Sequence, residues 1–391
     1  MIFKISQLIF HNFAVMKKVY LDNASTTRMR PEVIQEMTKV MAEDFGNPSS
    51  THSFGRNGKT ILELSRKSIA KHLNCTAQEI IFTSGGTEAD NWILRSAVED
   101  LKIERIITTK IEHHAVLHSV LALQSDYNIQ VDYVKINSDG SLDLTHLSNL
   151  LSEEKKTIVS LMHVNNETGT VLDLNRVGVI CKQYNVLFHS DTVQSVGKTE
   201  IDLQQTAVDF IVASAHKFHG PKGVGFAFVR KNSGLQPLIF GGEQEKGLRA
   251  GTEAVHQIAG MAKALSLSYE NLNEERNYIT GLKKYLIEQL EGHFPGFRIN
   301  GKKDDFYNII NIILPFSESK TSMLLFSLDM KGIAVSRGSA CQSGSIKPSH
   351  VLKEMLSEND LKLPNLRISF SHFNTTEDID WLMECLKTIN N

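Results

Sequence analysis

The sequence predicts an α/β fold, a large domain on a mostly parallel seven-stranded sheet with a smaller α+β domain beside it. Three observations predict it. Short apolar runs alternate with helix-like stretches through the first two thirds of the chain. The pattern changes near residue 250, where a long amphipathic stretch leads into a mixed region. The 391 residues, 41% of them hydrophobic, can bury a large core and exceed one compact unit of usual size.

Taken in order, 79–83 (Glu-Ile-Ile-Phe-Thr) reads as a strand and 87–99 as a helix. Strands at 105–109, 130–135, 157–162 and 186–189 alternate with helices at 114–125, 142–151 and 173–184. Two further strands fall at 209–213 and 225–229. Strands that are apolar throughout, rather than alternating, belong to a sheet covered on both faces. Beyond 250 the expectation is an amphipathic stretch over 253–290, a strand at 307–314, a helix at 319–330, a loop at 336–349, a strand at 367–371 and a last helix at 376–389.

Charge is nearly balanced, 42 Lys+Arg against 44 Asp+Glu, so no global basic field invites nucleic acid. Of four cysteines, Cys75, Cys181, Cys341 and Cys385, none forms a C-x-x-C pair. A zinc knuckle, a thioredoxin-like site and a disulfide scaffold are therefore not expected, and a reducing, cytoplasmic setting is. The apolar stretch over 2–15 is interrupted by Lys4, Ser6, Gln7, His11 and Asn12, with no small-residue cleavage site after it. Residues 1–15 read as an extension ahead of a natural start at Met16. No stretch reaches the roughly 20 apolar residues that span a bilayer, so no membrane partner is expected.

Five stretches carry chemistry. In the first, an apolar strand ends in Ser214-Ala215-His216-Lys217 and breaks into Gly220-Pro221. A lysine closing a buried strand is partly desolvated, which favours the neutral amine a Schiff base needs. Ser214 and His216 would flank it as phosphate donors; the plainer alternative is a surface lysine in a turn, and Lys222 is the rival lysine. In the second, Asp191 closes another buried strand, where it could keep a pyridine nitrogen protonated or simply cap a helix. Gln194 stands three residues on, placed to donate to a ring oxygen.

The third stretch, Thr83-Ser84-Gly85-Gly86-Thr87-Glu88, runs from a strand through glycines into a helix N-terminus, an anion site with Gly86 and Thr87 as contacts. It has neither a Walker lysine nor G-x-G-x-x-G. In the fourth, His113, opening a helix, could stack on a flat ring or serve as a solvated cap. Its neighbour His114 invites a metal reading, but adjacent residues diverge and no third ligand is evident. In the fifth, Cys341 sits in Gly338-Ser339-Ala340-Cys341-Gln342-Ser343-Gly344, the composition of an exposed, mobile loop, where a thiol is a liability unless used.

These five stretches, in this order, resemble class V aminotransferase-fold enzymes, and within them cysteine desulfurases of the NifS/IscS type. Further matching segments are Tyr20-Leu-Asp-Asn-Ala-Ser-Thr-Thr27, Phe45-Gly-Asn-Pro-Ser-Ser50, Met162-His-Val-Asn-Asn-Glu167, Gly247-Leu-Arg-Ala-Gly-Thr252 and Leu366-Arg-Ile-Ser-Phe370. The resemblance implies the PLP-dependent transferase fold (aminotransferase fold type I) and pyridoxal 5'-phosphate as cofactor. The division it implies is a large PLP-binding domain over 31–260, a small-domain segment over 16–30 and a C-terminal small domain over 261–391 carrying the Cys341 loop.

The implied reaction converts L-cysteine to L-alanine and leaves the sulfur on Cys341 as a persulfide. Lys217 matches the lysine that carries the cofactor, and His113 the residue stacked on its ring. Asp191 matches the partner of the pyridine nitrogen. Gln194 and Asn166 match contacts to the ring oxygen and substrate, and Gly86, Thr87, Ser214 and His216 the phosphate cradle. Thr252 matches a phosphate contact from the neighbouring subunit, implying a homodimer with shared active sites. Arg367 matches the substrate-carboxylate clamp, and Asn47 borders the substrate. The implied partner is a sulfur acceptor, such as an iron–sulfur scaffold or a tRNA-thiolation protein. No metal site is expected; Cys341 alone is open to transient iron–sulfur ligation. Rival readings are selenocysteine lyase, a class V transaminase and a degenerate scaffold protein.

Overall fold

A computed structural model describes residues 17–338 and 349–390; the extension at 1–15 and Cys341 lie outside the described residues. A short strand β1 (Val19–Tyr20) and helices α1 (Pro31–Glu43) and α2 (Ser53–His72) precede β2 (Ile80–Thr83). Then follow α3 (Gly86–Glu99), β3 (Arg105–Thr108), α4 (His114–Tyr127), β4 (Gln130–Tyr133), α5 (Leu144–Leu151), β5 (Thr157–Ser160), α6 (Leu174–Gln183), β6 (Leu187–Asp191), β7 (Phe210–Ser214) and β8 (Gly225–Val229). Helices α7 (Val255–Glu270) and α8 (Leu272–His293) lead to β9 (Arg298–Ile299), β10 (Ile309–Ile313), α9 (Leu324–Asp329), β11 (Ile333–Ala334), α10 (His350–Lys353), α11 (Glu358–Lys362), β12 (Asn365–Ser369) and α12 (Thr376–Asn390).

The central sheet has the order β2-β8-β7-β6-β5-β3-β4. From β7 to β4 every pairing is parallel, whereas β8 runs antiparallel to both β7 and β2. All residues of β2, β5, β7 and β8 are buried, which is why these strands show no polar alternation. Two apolar clusters cover the faces, one holding Ile80, Val159, Phe188 and Ile211, the other Ile81, Ile106, Ile158 and Phe210. A separate cluster around Leu286, Ile310, Ile368 and Leu382 packs α8 and α12 against the antiparallel β12-β10-β9 sheet.

Local signals set the boundaries. The Asp143 and Asp173 side chains accept the backbone N–H of His146 and Arg176, capping α5 and α6. Asn128 and Asn185, both at φ +52°, follow the ends of α4 and α6 in the left-handed conformation common after a helix. Two expectations are corrected. The amphipathic stretch over 253–290 is two helices, broken at Asn271, whose Nδ2 donates to the Leu267 carbonyl at 2.8 Å. The helix expected over 319–330 is a 3₁₀ turn, Glu318–Lys320, followed by the six-residue α9.

The carboxyl ends of β6 and β7 and the N-terminus of α3 open on one edge of the sheet, where ligands settle in open α/β sheets. Asp191 ends β6, Ser214 ends β7, and Gly86 begins α3.

Candidate active site

A cavity of about 240 Å³ lies at that edge. Its lining includes Gly86, Thr87, His113, Asn166, Asp191, Gln194, Ser214, His216, Lys217 and Arg367, ten of the residues singled out from the sequence. Asn47 and Thr252 are not among them. They line a second pocket together, beside Phe45 and Pro48. Lys222, the rival lysine, is exposed.

At one end Gly85 sits at φ +153°, a conformation L side chains rarely adopt, and a Cβ on Gly86 would come within 2.6 Å of Val193 Cγ2. Both glycines thus bare the backbone N–H groups opening α3, which, with Thr87, Ser214 and His216, make an anion cradle. His216 Nδ1 is 3.1 Å from Thr26 Oγ1, and burial, with Lys217 nearby, lowers its pKa to about 3.

At the other end the Asp191 carboxylate accepts the Val193 N–H at 2.9 Å. Burial raises its pKa to about 6, against the pull of that N–H and of Lys217. Between the two ends, Lys217 Nζ donates to the carbonyls of Ala24 at 2.6 Å and Ser25 at 2.9 Å. His113 caps α4, accepting the Ala115 N–H at Nδ1 (3.2 Å). Burial, helped by Lys217, lowers its pKa to about 4, so at neutral pH the ring is uncharged and its proton sits on Nε2. Gln194 is committed elsewhere: its Nε2 donates to Ala24 O at 2.8 Å and its Oε1 lies 3.4 Å from Lys198 Nζ.

Arg367, 1% exposed, is held as a fork. Its Nη1 donates to Asn166 O at 3.0 Å and its Nη2 to Asp22 Oδ1 at 2.7 Å and Ser25 Oγ at 2.6 Å. Its Nε has no partner among the described residues, a buried donor in a site that expects a carboxylate. An anion cradle, a carboxyl group opposite, an amine and a neutral imidazole between them suit a flat, phosphate-bearing pyridine. The donor set fits pyridoxal phosphate.

Sequence reasoning missed a layer behind Asp191. Asp90 lines the cavity, and its Oδ1 is 3.3 Å from Nε2 of the buried His189, whose Nδ1 is 2.9 Å from Ser160 Oγ. The signal was present: Asp90 shares the apolar stripe of α3 with Ile93, Leu94 and Ala97, where an acid has no ordinary reason to be. Burial, then Asp191 and Glu112, hold Asp90 well above the usual carboxylate range. Burial also raises Glu112 from 4.5 to about 8, against hydrogen bonds from the Thr109 hydroxyl and the Met162 N–H.

A pH prediction follows from Glu112. Its folded pKa lies above its unfolded value, so its contribution to stability is complete below about 4.5 and is lost as pH rises to about 8. Glu112→Gln keeps the acceptor for the Thr109 hydroxyl and never ionises. The melting temperature of the variant, relative to the parent, should rise by a few degrees between pH 5 and pH 8.5. An unchanged difference would show that Glu112 is already ionised in the fold.

Among the described residues no helix is long and apolar enough to cross a membrane, and no group of three or more His, Cys, Asp or Glu could hold a metal ion. The aminotransferase class-V family model matches residues 19–382. "Cysteine desulfurase IscS" of Clostridium botulinum (strain Kyoto / Type A2) is 41% identical over 376 residues, covering 95% of this chain and 94% of that protein. "Cysteine desulfurase IscS" of Dictyoglomus turgidum is 39% identical over 376 residues, with the same coverage of both chains. A solved structure titled "NIFS-LIKE PROTEIN" superposes with a TM-score of 0.88 at 36% identity, covering 95% of this chain and 99% of that one.

Proposed function

The chain belongs to the class-V aminotransferase family and is a pyridoxal-phosphate-dependent cysteine desulfurase, and from that premise we propose which of its residues do the work. The rival readings (selenocysteine lyase, transaminase, degenerate scaffold) are not favoured by its relatives.

Lys217 would hold the cofactor through Nζ, the α3 N-terminus with Thr87, Ser214 and His216 its phosphate, Asp191 its ring nitrogen, and His113 the ring face. When bound, pyridoxal phosphate supplies an electron sink that stabilises negative charge at the substrate's α-carbon and loosens its carbon–sulfur bond. Arg367 orients L-cysteine by its carboxylate, offering the Nε–H that the fold leaves unpartnered. Asn166 lies against the substrate. Lys217 Nζ, on the substrate side of the cavity, would take the α-proton. His113 carries a proton on Nε2 and can deliver it.

Cys341 thiolate attacks the substrate sulfur. The new S–S bond forms as the C–S bond breaks, its electron pair returns to the carbon fragment, and with protons L-alanine leaves. The persulfide then passes its outer sulfur to the thiol of an acceptor protein; an iron–sulfur scaffold or a tRNA-thiolation protein would serve.

Thr252 and Asn47 would act on the site of a second copy. Their shared pocket is flanked by Phe45, 73% exposed, on a face that also carries exposed Met41 and Phe54, the kind of apolar surface a homodimer covers. The same reading divides the chain into a large unit, 31–260, and a small one, 16–30 with 261–391; two separate apolar clusters support two units, with Met261, Ala262, Ala264 and Leu265 packing into the large one.

The observation that carries this reading is the convergence of the anion cradle, Asp191, Lys217, His113 and Arg367 Nε on one cavity. The test is turnover of L-cysteine to L-alanine with one equivalent of reducible sulfur, together with Arg367→Lys. Losing the planar fork should raise KM by about tenfold or more. An unaltered KM would remove Arg367 from the substrate site.

A further inference from the structure

Glu167 follows Asn166 in the loop after β5. Its carboxyl group is completely buried, 0% exposed, and Glu167 is not among the residues lining the cavity. A carboxyl group withdrawn from water needs hydrogen-bonding partners. One of those found here is the Ser349 hydroxyl, which donates to Glu167 Oε2 while accepting the N–H groups of Val351 and Leu352 as the cap of α10. His350 Nε2 donates to the Glu112 carbonyl at 2.9 Å, which sets Nδ1 4.0 Å from Glu167 Oε1. On the other side is Gly338: a Cβ there would lie 3.3 Å from Glu167 Oε2 and 3.5 Å from Ser349 Cβ.

Gly338 and Ser349 stand on either side of Cys341 in the chain, three residues before it and eight after it. Both meet at one buried carboxyl group. The chain is tied down two residues before Gly338 as well, because Ser336 and Arg367 exchange backbone hydrogen bonds of 3.3 and 2.7 Å. The loop carrying Glu167 is itself rigidly held. Its Glu167 N–H donates to Asn165 Oδ1 at 2.9 Å, Asn165 Nδ2 donates to Ile111 O at 2.9 Å, and Asn311 Nδ2 donates to Glu167 O at 3.1 Å. One residue back, the Asn166 carbonyl receives Arg367 Nη1.

We propose that Glu167 is a positioning residue for sulfur transfer: its carboxyl group holds Ser349 by a hydrogen bond and packs against Gly338, the described residues on either side of the Cys341-bearing stretch. The proposal rests on the desulfurase reading and on Cys341 as the sulfur acceptor. Transfer needs the thiolate and the substrate sulfur near in-line contact, and a displacement of about 1 Å can cost on the order of a hundredfold in rate. Proton removal at the α-carbon depends on Lys217, Asp191 and Arg367 and does not involve the anchors, so Glu167 should divide the reaction into two separable halves.

The experiment uses the full-length holoenzyme and three variants, Glu167→Ala, Glu167→Gln and Ser349→Ala, the last altering the contact from the anchor side only. Exchange of the substrate α-proton with deuterated water, followed by NMR, reads the first half. Single-turnover formation of persulfide on Cys341, read by alkylation and mass spectrometry, reports the second. Glu167→Ala and Ser349→Ala should slow persulfide formation by about ten- to a hundredfold while exchange stays within about threefold. Glu167→Gln, which keeps shape and an acceptor for the Ser349 hydroxyl, should fall between these variants and the parent. If exchange and persulfide formation drop together in all three, Glu167 is merely structural and the proposal fails; it fails equally if persulfide forms at the parental rate. Cys341→Ala run alongside separates the premises, since persulfide on that variant would refute the role of Cys341 without bearing on the anchor contacts.

Discussion

Lys217→Ala should lower L-cysteine turnover by about four orders of magnitude and abolish borohydride trapping of the cofactor on the protein. The size of the effect reflects two duties on one atom. In the proposed reading Nζ would hold the cofactor and the same Nζ would take the α-proton, so the loss would not be restored by adding more cofactor. A small exogenous amine should recover part of the proton transfer and none of the protein-bound adduct.

The serious rival is Lys198. Burial, with Lys217 nearby, lowers its pKa to about 7, so much of it is a neutral amine near physiological pH. It does not line the site. Lys198 belongs to a separate cavity of about 20 Å³ with His219, Glu275 and Tyr307, and its Nζ faces Gln194 Oε1. A borohydride-trapped adduct on Lys198 in the Lys217→Ala protein would overturn the assignment.

That contrast shows what the sequence makes legible. A residue that closes a buried strand is conspicuous, because an apolar run ends abruptly in a polar or charged side chain. Asp191 and Ser214 are of this kind, Lys217 ends the 3₁₀ turn, Ala215–Lys217, that follows β7 rather than the strand itself, and the glycines opening α3 announce a close backbone approach. Asp90 and His189 are partners far apart in sequence, and no local pattern pairs them; Lys198 meets Gln194 only four residues before it, but its burial is set by the fold.

The same distinction explains the fold. The strands of the central sheet stand out because both faces are covered. Helices α1 and α2 drew no assignment; both pack on α7, which is remote in sequence. Over 319–330, Met323, Phe326 and Met330 stand at helical spacing yet are exposed, and only Leu324–Asp329 is α-helical. Thr252 and Asn47 entered the reading only through the family resemblance; among the described residues they line a separate pocket.

Cys341→Ala should keep the cofactor and α-proton exchange while losing persulfide formation by about a thousandfold or more. The argument is one of elimination among thiols. Cys181 is buried, and burial, with Asp209 nearby, raises its pKa to about 12. Burial, then Glu79, takes Cys75 to about 12 as well, and burial also raises the thiol of the enclosed Cys385. A thiol of pKa about 12 offers roughly three orders of magnitude less thiolate at pH 8 than an ordinary cysteine. None of the three lines the cavity. No remaining sulfur nucleophile can therefore replace position 341, and a stalled enzyme still loaded with substrate is the expected state of the variant. Undiminished release of L-alanine and sulfide would mean that a small-molecule thiol takes sulfur directly at the site, and Cys341 would lose its role.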